Sequence, residues 1–512
     1  MNAVNQRPLA LIILDGWGVS ESTERNAIAG AHKPNYDALC RNYPMTTLVS
    51  FGERVGLPAG EPGSAESGHL NLGAGRIVRT NKCRIDEAIE SGEFFDNEVL
   101  VGAMQQAKER GAAVHLVGLL SDGGVHSSME HLFALLRLAK RLEITQVFVH
   151  CFLDGRDVPV KTSDIYVEAL EVKMDEIGIG QIATLCGRYY GMDSEGNWER
   201  TAQAYTMMVH SEGEGVLEPK KAIRDAFVRG YTDEFIRPIV VETPLGNPVG
   251  QIKDGELVVF FNDRGDSLKQ LVSALGASGG AGPTAFSKPK VEIICLAECD
   301  RELGAAVAFR QEPIGNSLAE VLLRWGAPTV RFTESERALH LDSFWGQEVD
   351  DESARALYLR SVEPVQRSAK PEMASFKIAD RFISQFGADK AGFYVINLPA
   401  SALVAEGGDL KKAVEAVQFV DTCLGGVLDA VKEQDGAAVI TASHSSCENM
   451  RKRYRGSMHS TAAPVPFHVF DPRSTIKVLR SGGSLEDVAP TILGMLGIER
   501  PIEMTGRDLR IV

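Results

Sequence analysis

The sequence predicts an α/β protein built from two units. Three observations carry that expectation: a length of 512 residues, a sharply ended apolar run near the start, and a long central alternation of helical and strand-like segments. A chain of this length exceeds what one ordinary core holds, so two cores are expected. The run Leu11–Gly18, LIILDGWG, has the continuous apolar character of a strand buried on both faces of a parallel sheet. It delivers Asp15 at its C-terminal end, where open α/β sheets place their chemistry.

Along the chain, Asn26–Leu39 has helical apolar spacing and Met45–Phe51 reads as a short strand. The stretch Val55–Gly75, VGLPAGEPGSAESGHLNLGAG, has small residues, a His and no apolar period, so it reads as a site loop. From Val78 onward, helical segments such as Asn97–Arg110 alternate with the apolar strands Ala113–Leu120, Gln146–Leu153, Gln181–Cys186 and Leu257–Phe261. That alternation indicates a second α/β unit. A helix begins within Gln311–Leu323. Strands follow at Thr329–Thr333, Gly392–Asn397, Ala437–Thr441 and Pro464–Phe470, with helices over Leu410–Lys432 and Leu485–Leu496. Residues 1–77 hold too few strands to stand alone. The expected organisation is therefore an outer domain of residues 1–77 and 312–512, interrupted by an inserted domain of residues 78–311.

Composition narrows the class. Apolar content of 44% and charged content of 24% are those of a soluble globular protein. A formal net charge of −15 argues against a nucleic-acid surface. No run approaches the roughly 18 apolar residues of a membrane span, and MNAVNQRPLA lacks a secretory apolar core. The eight cysteines form no CxxC; Cys295 and Cys299 are the closest pair. Free thiols in a cytoplasmic protein, with neither nucleic acid nor membrane as partner, are the expectation.

Two constellations carry chemistry. A dinuclear metal site needs carboxylates and imidazoles on strand-end loops far apart in sequence, and Asp15, Glu66, His69, Glu406, His444, Glu448 and His459 are the candidates. Taken singly, each imidazole is more often a structural side chain than a ligand. In the central unit, Arg156 and Asp157 follow one strand, Arg188 another, and Arg264 a third, within NDRGD. Guanidinium groups grip phosphate and carboxylate bidentately, so this repetition points to an anion pocket; salt bridges are the alternative for any one of them. Arg337, within TESER, adds a cation from the outer unit, and a site closed by both domains suits a small phosphorylated acid.

The segments LDGWG, NLGAGRIV, LLSDGGVHS with His126, FLDGRD, GRYYGMD, PVP, LEDVAPTILGMLGI and EMTG occur in one order along nearly the whole chain. In this the sequence resembles the cofactor-independent (2,3-bisphosphoglycerate-independent) phosphoglycerate mutases of the alkaline phosphatase superfamily. The resemblance implies an α/β, alkaline-phosphatase-like sandwich domain interrupted by an inserted α/β substrate-binding domain. It also implies two divalent metals, usually manganese, and a serine nucleophile that carries phosphate between the 3- and 2-hydroxyls of glycerate.

Residue by residue, the resemblance is uneven. The family's GNSEVGH serine falls on Ala65, flanked by Ser64 and Ser67, and a methyl group cannot accept a phosphoryl group. Of the family's metal positions, Asp15, His444 and His459 are kept, whereas Ala402 and Ser443 stand where the family has Asp. Glu406 stands where the family has a His and is a candidate substitute ligand. The substrate positions His126, Arg156, Asp157, Arg188 and Arg264 are kept, and the family's Lys is Arg337. Ser194 and Ser267 stand where the family has Arg. The expectation is a phosphoglycerate-mutase-like protein that binds a small phosphorylated or phosphono carboxylic acid, holds one divalent metal or none, and has lost or altered the mutase reaction. A regulatory protein partner is implied if it serves as a sensor. The alternatives are a repurposed phosphoryl- or phosphonyl-transfer enzyme and an active mutase with a rebuilt site, using Ser64 or Ser67.

Overall fold

The computed structural model describes residues 7–194, 196–276, 289–310, 314–327, 329–345, 354–363, 366–387, 392–450 and 461–511. Two compact units emerge: Met1–Thr80 with Pro313–Arg453 and Met458–Val512, and Asn81–Glu312. The strands in chain order begin with β1 (Leu9–Leu14) and β2 (Met45–Val49). Next come β3 (Val114–Leu120), β4 (Val147–Leu153), β5 (Gln181–Gly187), β6 (Glu214–Val216), β7 (Ile239–Val241), β8 (Leu257–Phe260), β9 (Glu292–Cys295) and β10 (Ala306–Val307). The last are β11 (Thr329–Glu334), β12 (Ala354–Leu359), β13 (Phe393–Leu398), β14 (Ala437–Thr441), β15 (Val465–Phe470) and β16 (Gly483–Ser484).

In the first unit β1 lies at the heart of a sheet ordered β12-β11-β13-β1-β14-β15-β2-β16. It pairs in parallel with β13 on one side and β14 on the other, Leu14 opposite Leu398 and Ile13 opposite Thr441. Every residue of β1 is buried, as its unbroken apolar run requires of a strand covered on both faces. The 24-residue helix Leu410–Glu433 supplies part of that cover. Only β15 runs against its neighbours β14 and β2. Because β11, β13, β1 and β14 run the same way, their C-terminal ends converge on one edge of the sheet.

The second unit repeats the logic in a sheet ordered β10-β9-β8-β3-β4-β5-β7-β6. Alternation along its strands feeds two cores. Val117, Leu119, Phe152 and Phe260 face one, and Leu116, Leu120, Val149 and Phe261 the other. The α/β expectation therefore holds in both units.

Two sequence readings need correction. Asn26–Leu39 is not one helix: it breaks into Ala27–Gly30 and Pro34–Asn42, with Pro34 opening the second because it has no N–H to continue a first. The supposed loop Val55–Gly75 contains a ten-residue helix, Ala65–Ala74, closed by Gly75 in the left-handed conformation. No helix among the described residues is long and apolar enough to cross a membrane. All eight cysteines are free, with Cys295 and Cys299 Sγ atoms 3.4 Å apart.

Candidate functional site

The convergent strand ends of the first unit place Asp15 at their centre, fully buried. Its Oδ1 accepts a 2.5 Å hydrogen bond from Ser443 Oγ, just beyond β14, and lies 3.9 Å from His69 Nε2. Its Oδ2 accepts from Arg337 Nε at 3.3 Å and from Asn397 Nδ2, on β13, at 3.4 Å. Ser401 donates to the Asp15 carbonyl at 2.6 Å, which fixes the strand end itself. Burial would raise the Asp15 carboxyl, but His69, His444, Arg337 and the Ser443 hydroxyl outweigh it and hold the group below its usual value. Arg337 is the lasting charge among them. Burial drives His69 down, and it drives His444 down to about 4, so both imidazoles are neutral at neutral pH.

Ser443, with its proton on Asp15, accepts from His444 Nδ1 at 2.8 Å. His69 Nδ1 donates to the Ala65 carbonyl one turn back at 2.7 Å, which leaves its buried Nε2 without a hydrogen-bond partner and facing Asp15. The helix Ala65–Ala74 that carries His69 sits hard against the strand end. A Cβ at Gly68 would lie 2.0 Å from the Ser443 carbonyl oxygen, so this contact admits only glycine.

That helix also decides what its serines do. Ser64 is the N-cap and Ser67 the third helical residue, and they close a reciprocal capping box. Ser64 Oγ accepts from the Ser67 N–H at 3.1 Å, Ser67 Oγ accepts from the Ser64 N–H at 3.1 Å, and the hydroxyls stand 3.2 Å apart. Both hydroxyls hold the helix start. Between them, Ala65 presents only a buried methyl group.

On the other side of Asp15 runs a ladder of ion pairs. Arg337, in the turn after β11, reaches Glu406 Oε1 with Nη2 at 3.2 Å while its Nε holds Asp15. Glu406 Oε2 accepts from Arg367 Nη1 at 3.4 Å, and Arg367 Nη2 pairs with Glu336. Both arginines are buried, at 7% and 6% exposure, while the Glu406 side chain is 45% exposed. The Glu406, Asp15 and Glu336 carboxylates overcome burial and secure the Arg337 charge. Behind them Glu334 ends β11 with Oε1 on the Ala374 N–H at 3.0 Å and Oε2 unpartnered. Burial first, with Glu336 adding to it, lifts this carboxyl to about 7.

The divalent pair implied by the resemblance does not fit these residues. Ala402, 1% exposed, and Ser443 bring no charge where two carboxylates would be needed. Both Asp15 oxygens already accept hydrogen bonds, and a guanidinium stands beside it. Among the described residues no group of three or more His, Cys, Asp or Glu side chains is placed to hold a metal ion. His459 lies outside the described residues. Glu448 packs against Gly18, pairs with Thr461 and has its Oε2 buried and unpartnered. Glu66 occupies the first turn of the Ala65–Ala74 helix.

In the second unit the candidate residues follow β3, β4, β5 and β8, whose parallel C-terminal ends also meet. Asp154, fully buried after β4, organises them: its Oδ1 accepts from the N–H groups of Arg156 and Asp157 at 3.0 and 2.9 Å and from Arg188 Nη1 at 2.8 Å. Its Oδ2 accepts from Ser121 Oγ at 2.5 Å. Arg188, 6% exposed, also holds Asp157 at 2.5 Å. Arg264 grips Asp266 through Nε and Nη2 at 3.1 and 2.8 Å. His126 faces these cations; burial and then Arg264, Arg188 and Arg156 push its imidazole well below the ordinary value. It is a neutral donor-acceptor ringed by guanidiniums. Ser194 is exposed, and Ser267 is buried with its hydroxyl unpartnered. Arg188 and Arg264 are thus held by carboxylates, while Arg156 is exposed beside them.

Sequence reasoning singled out Asp15, His69, His444, Glu406 and Arg337, and the structure brings them together. It did not single out Arg367, Glu336 or Glu334. Only Glu334, closing the strand read at Thr329–Thr333, carried a signal: a carboxylate at a parallel strand end, as at Asp15.

Comparison with known proteins places the chain. Residues 85–301 match the family model described as BPG-independent PGAM N-terminus. A 2,3-bisphosphoglycerate-independent phosphoglycerate mutase of Moorella thermoacetica is 42% identical over 515 residues, covering 99% of this chain and 99% of that protein. One from Desulforudis audaxviator is 42% identical over 506 residues, covering 98% of this chain and 99% of that protein. The phosphoglycerate mutase of Leishmania mexicana, solved at low cobalt concentration, superposes with a TM-score of 0.88 at 27% identity, covering 100% of this chain and 99% of that one.

Proposed function

This chain belongs to the 2,3-bisphosphoglycerate-independent phosphoglycerate mutase family, and we propose that within it the protein binds a small phosphorylated or phosphono carboxylic acid without interconverting 3- and 2-phosphoglycerate. The observation that carries this reading is the start of the helix Ala65–Ala74. The nucleophile position is a methyl group, and the two neighbouring hydroxyls are engaged with each other and with the backbone in a capping box. Phosphoryl transfer through a serine needs an oxygen free to attack and a base to receive its proton. Here freeing Ser64 or Ser67 breaks the helix cap, a loss of about 1 kcal/mol for each hydroxyl.

The binding half of the reading rests on the second unit. Arg188 is held rigid by two carboxylates, Arg264 by Asp266, and Arg156 is exposed beside them. Neutral His126 is able to donate one hydrogen bond to an anion. No step is assigned to a metal. A protein that binds a glycolytic acid and does not turn it over suits a sensing role, with a regulatory protein as partner.

A second reading, an active enzyme with a rebuilt site, draws on the 42% identity over the whole chain to proteins named as mutases. Coupled turnover of 3-phosphoglycerate in the presence of Mn²⁺ separates the two. The proposal expects none above the no-protein blank; sustained turnover abolished by Arg188→Met overturns it.

A further inference from the structure

We propose that Arg337 is the resident cation of the Asp15 centre: its guanidinium takes the charge role of a divalent metal, so that the centre is complete without one and excludes it. The inference rests on the family reading above, though not on loss of turnover.

Four observations converge on it. Arg337 is 7% exposed and spans the gap between a fully buried Asp15, 3.3 Å from Nε, and Glu406, 3.2 Å from Nη2. A buried guanidinium needs carboxylates around it, and these two are among the groups that the sequence offered as metal ligands. The remaining Asp15 oxygen is taken by Ser443, which stands where a third carboxylate would be needed and supplies a hydroxyl proton in its place. The outer oxygen of Glu406 is taken by a second buried arginine, Arg367, itself anchored by Glu336. Ala402, buried at 1% exposure in the short helix Ala400–Ala405 that leads to Glu406, brings no donor.

The charge count agrees. Asp15, Glu406 and Glu336 carry three negative charges and Arg337 and Arg367 two positive ones, all joined by direct contacts. A divalent ion added to this set would face a guanidinium already bonded to both of its prospective carboxylates. Displacing that guanidinium means moving a fixed, buried cation into solvent or leaving it unpaired. The exchange of two carboxylates for Ala402 and Ser443 and the capture of Asp15 by Arg337 are one change in two parts. Fewer anions remain, and the cations that offset all but one of them are covalently part of the chain.

The test uses the full-length protein and Mn²⁺ alone. Free Mn²⁺ is titrated by its electron paramagnetic resonance signal, and unfolding temperature is recorded with and without millimolar Mn²⁺. The wild type is expected to leave the signal undiminished and its unfolding temperature unmoved. Arg337→Ala is expected to unfold several degrees lower and to recover part of that loss with added methylguanidinium, which leaves the wild type unaffected. Arg337→Lys, which keeps the charge, covers the case in which the alanine variant does not fold, and is expected to fall between the two and to leave Mn²⁺ free. Stoichiometric Mn²⁺ binding by the wild type overturns the inference, as does an Arg337→Ala variant as stable as wild type. Turnover bears on the proposed function and is read in a separate assay, so either conclusion can fail alone.

Discussion

Replacing Asp15 with Ala tests the buried ion pair quantitatively. In the wild type its carboxylate meets Arg337, Ser443 and Asn397 at 3.3, 2.5 and 3.4 Å with no exposure to solvent. Removing it leaves the guanidinium of Arg337 buried with Glu406 alone, a class of change that costs about 3–5 kcal/mol. Deleting Arg337 in the same chain, as Arg337→Met, removes the orphaned charge, so the double variant should regain roughly 2 kcal/mol relative to additivity. At roughly 2 °C per kcal/mol for a unit of this size, Asp15→Ala should unfold about 6–10 °C lower. The assay is thermal unfolding followed by circular dichroism and calorimetry for the wild type, both single variants and the double variant. A loss under about 1 °C, or strict additivity in the double variant, refutes the reasoning, because it means that the pair is neither buried nor coupled as described.

Three further outcomes follow from the geometry. Gly68→Ala should destabilise by about 1–3 kcal/mol, read as unfolding temperature, because its Cβ meets the Ser443 carbonyl oxygen at 2.0 Å. His468, fully buried on β15, is held down to about 4 by burial, so the unfolded chain takes up its proton first as pH falls from about 6.5. Its contribution is complete above that pH, and about 3 kcal/mol is lost on acidification to about pH 4; His468→Phe should flatten this part of the stability profile. Arg188→Met should cost both stability and affinity for 3-phosphoglycerate, since it takes a buried cation away from Asp154 and Asp157, while exposed Arg156→Ala should weaken binding at least tenfold by calorimetric titration with little change in unfolding temperature.

The α/β class was legible because its physics is local. An unbroken apolar run such as β1 has one stable home, between helices in a parallel sheet, and a carboxylate at its end lands on the functional edge. The candidates Asp15, Glu406, His444 and Arg337 were legible from residue type and strand-end position. Their wiring was not. Which carboxylate Arg337 chooses depends on side chains brought together from positions 15, 337 and 406, and no spacing rule encodes that. Arg367 comes from a turn with no periodic signal, so its burial between Glu406 and Glu336 is a purely tertiary fact. The helix Ala65–Ala74 escaped because three of its ten residues are Ser or Gly and its cap is Ser-to-Ser, weaker on paper than a Ser/Thr–Glu box. That same cap then fixed what Ser64 and Ser67 are for.

The proposed function separates two properties that the family combines. On that reading, anion recognition belongs to the second unit, where Arg188 is anchored by two carboxylates. Phosphoryl transfer depends on one oxygen nucleophile and concentrated positive charge around it. The Ala65 side chain offers no oxygen, and at Asp15 the guanidinium of Arg337 is bonded to the carboxylate.

Phosphorus-31 NMR of 3-phosphoglycerate with stoichiometric protein in Mn²⁺-free buffer reads binding, and a second incubation with Mn²⁺, chelated by excess EDTA before the spectrum is taken, reads conversion. The account predicts a shifted or broadened 3-phosphoglycerate resonance that returns to its free position in Arg188→Met, with no 2-phosphoglycerate signal after prolonged incubation under either condition. A growing 2-phosphoglycerate resonance would contradict it, and so would a 3-phosphoglycerate resonance that the protein leaves untouched.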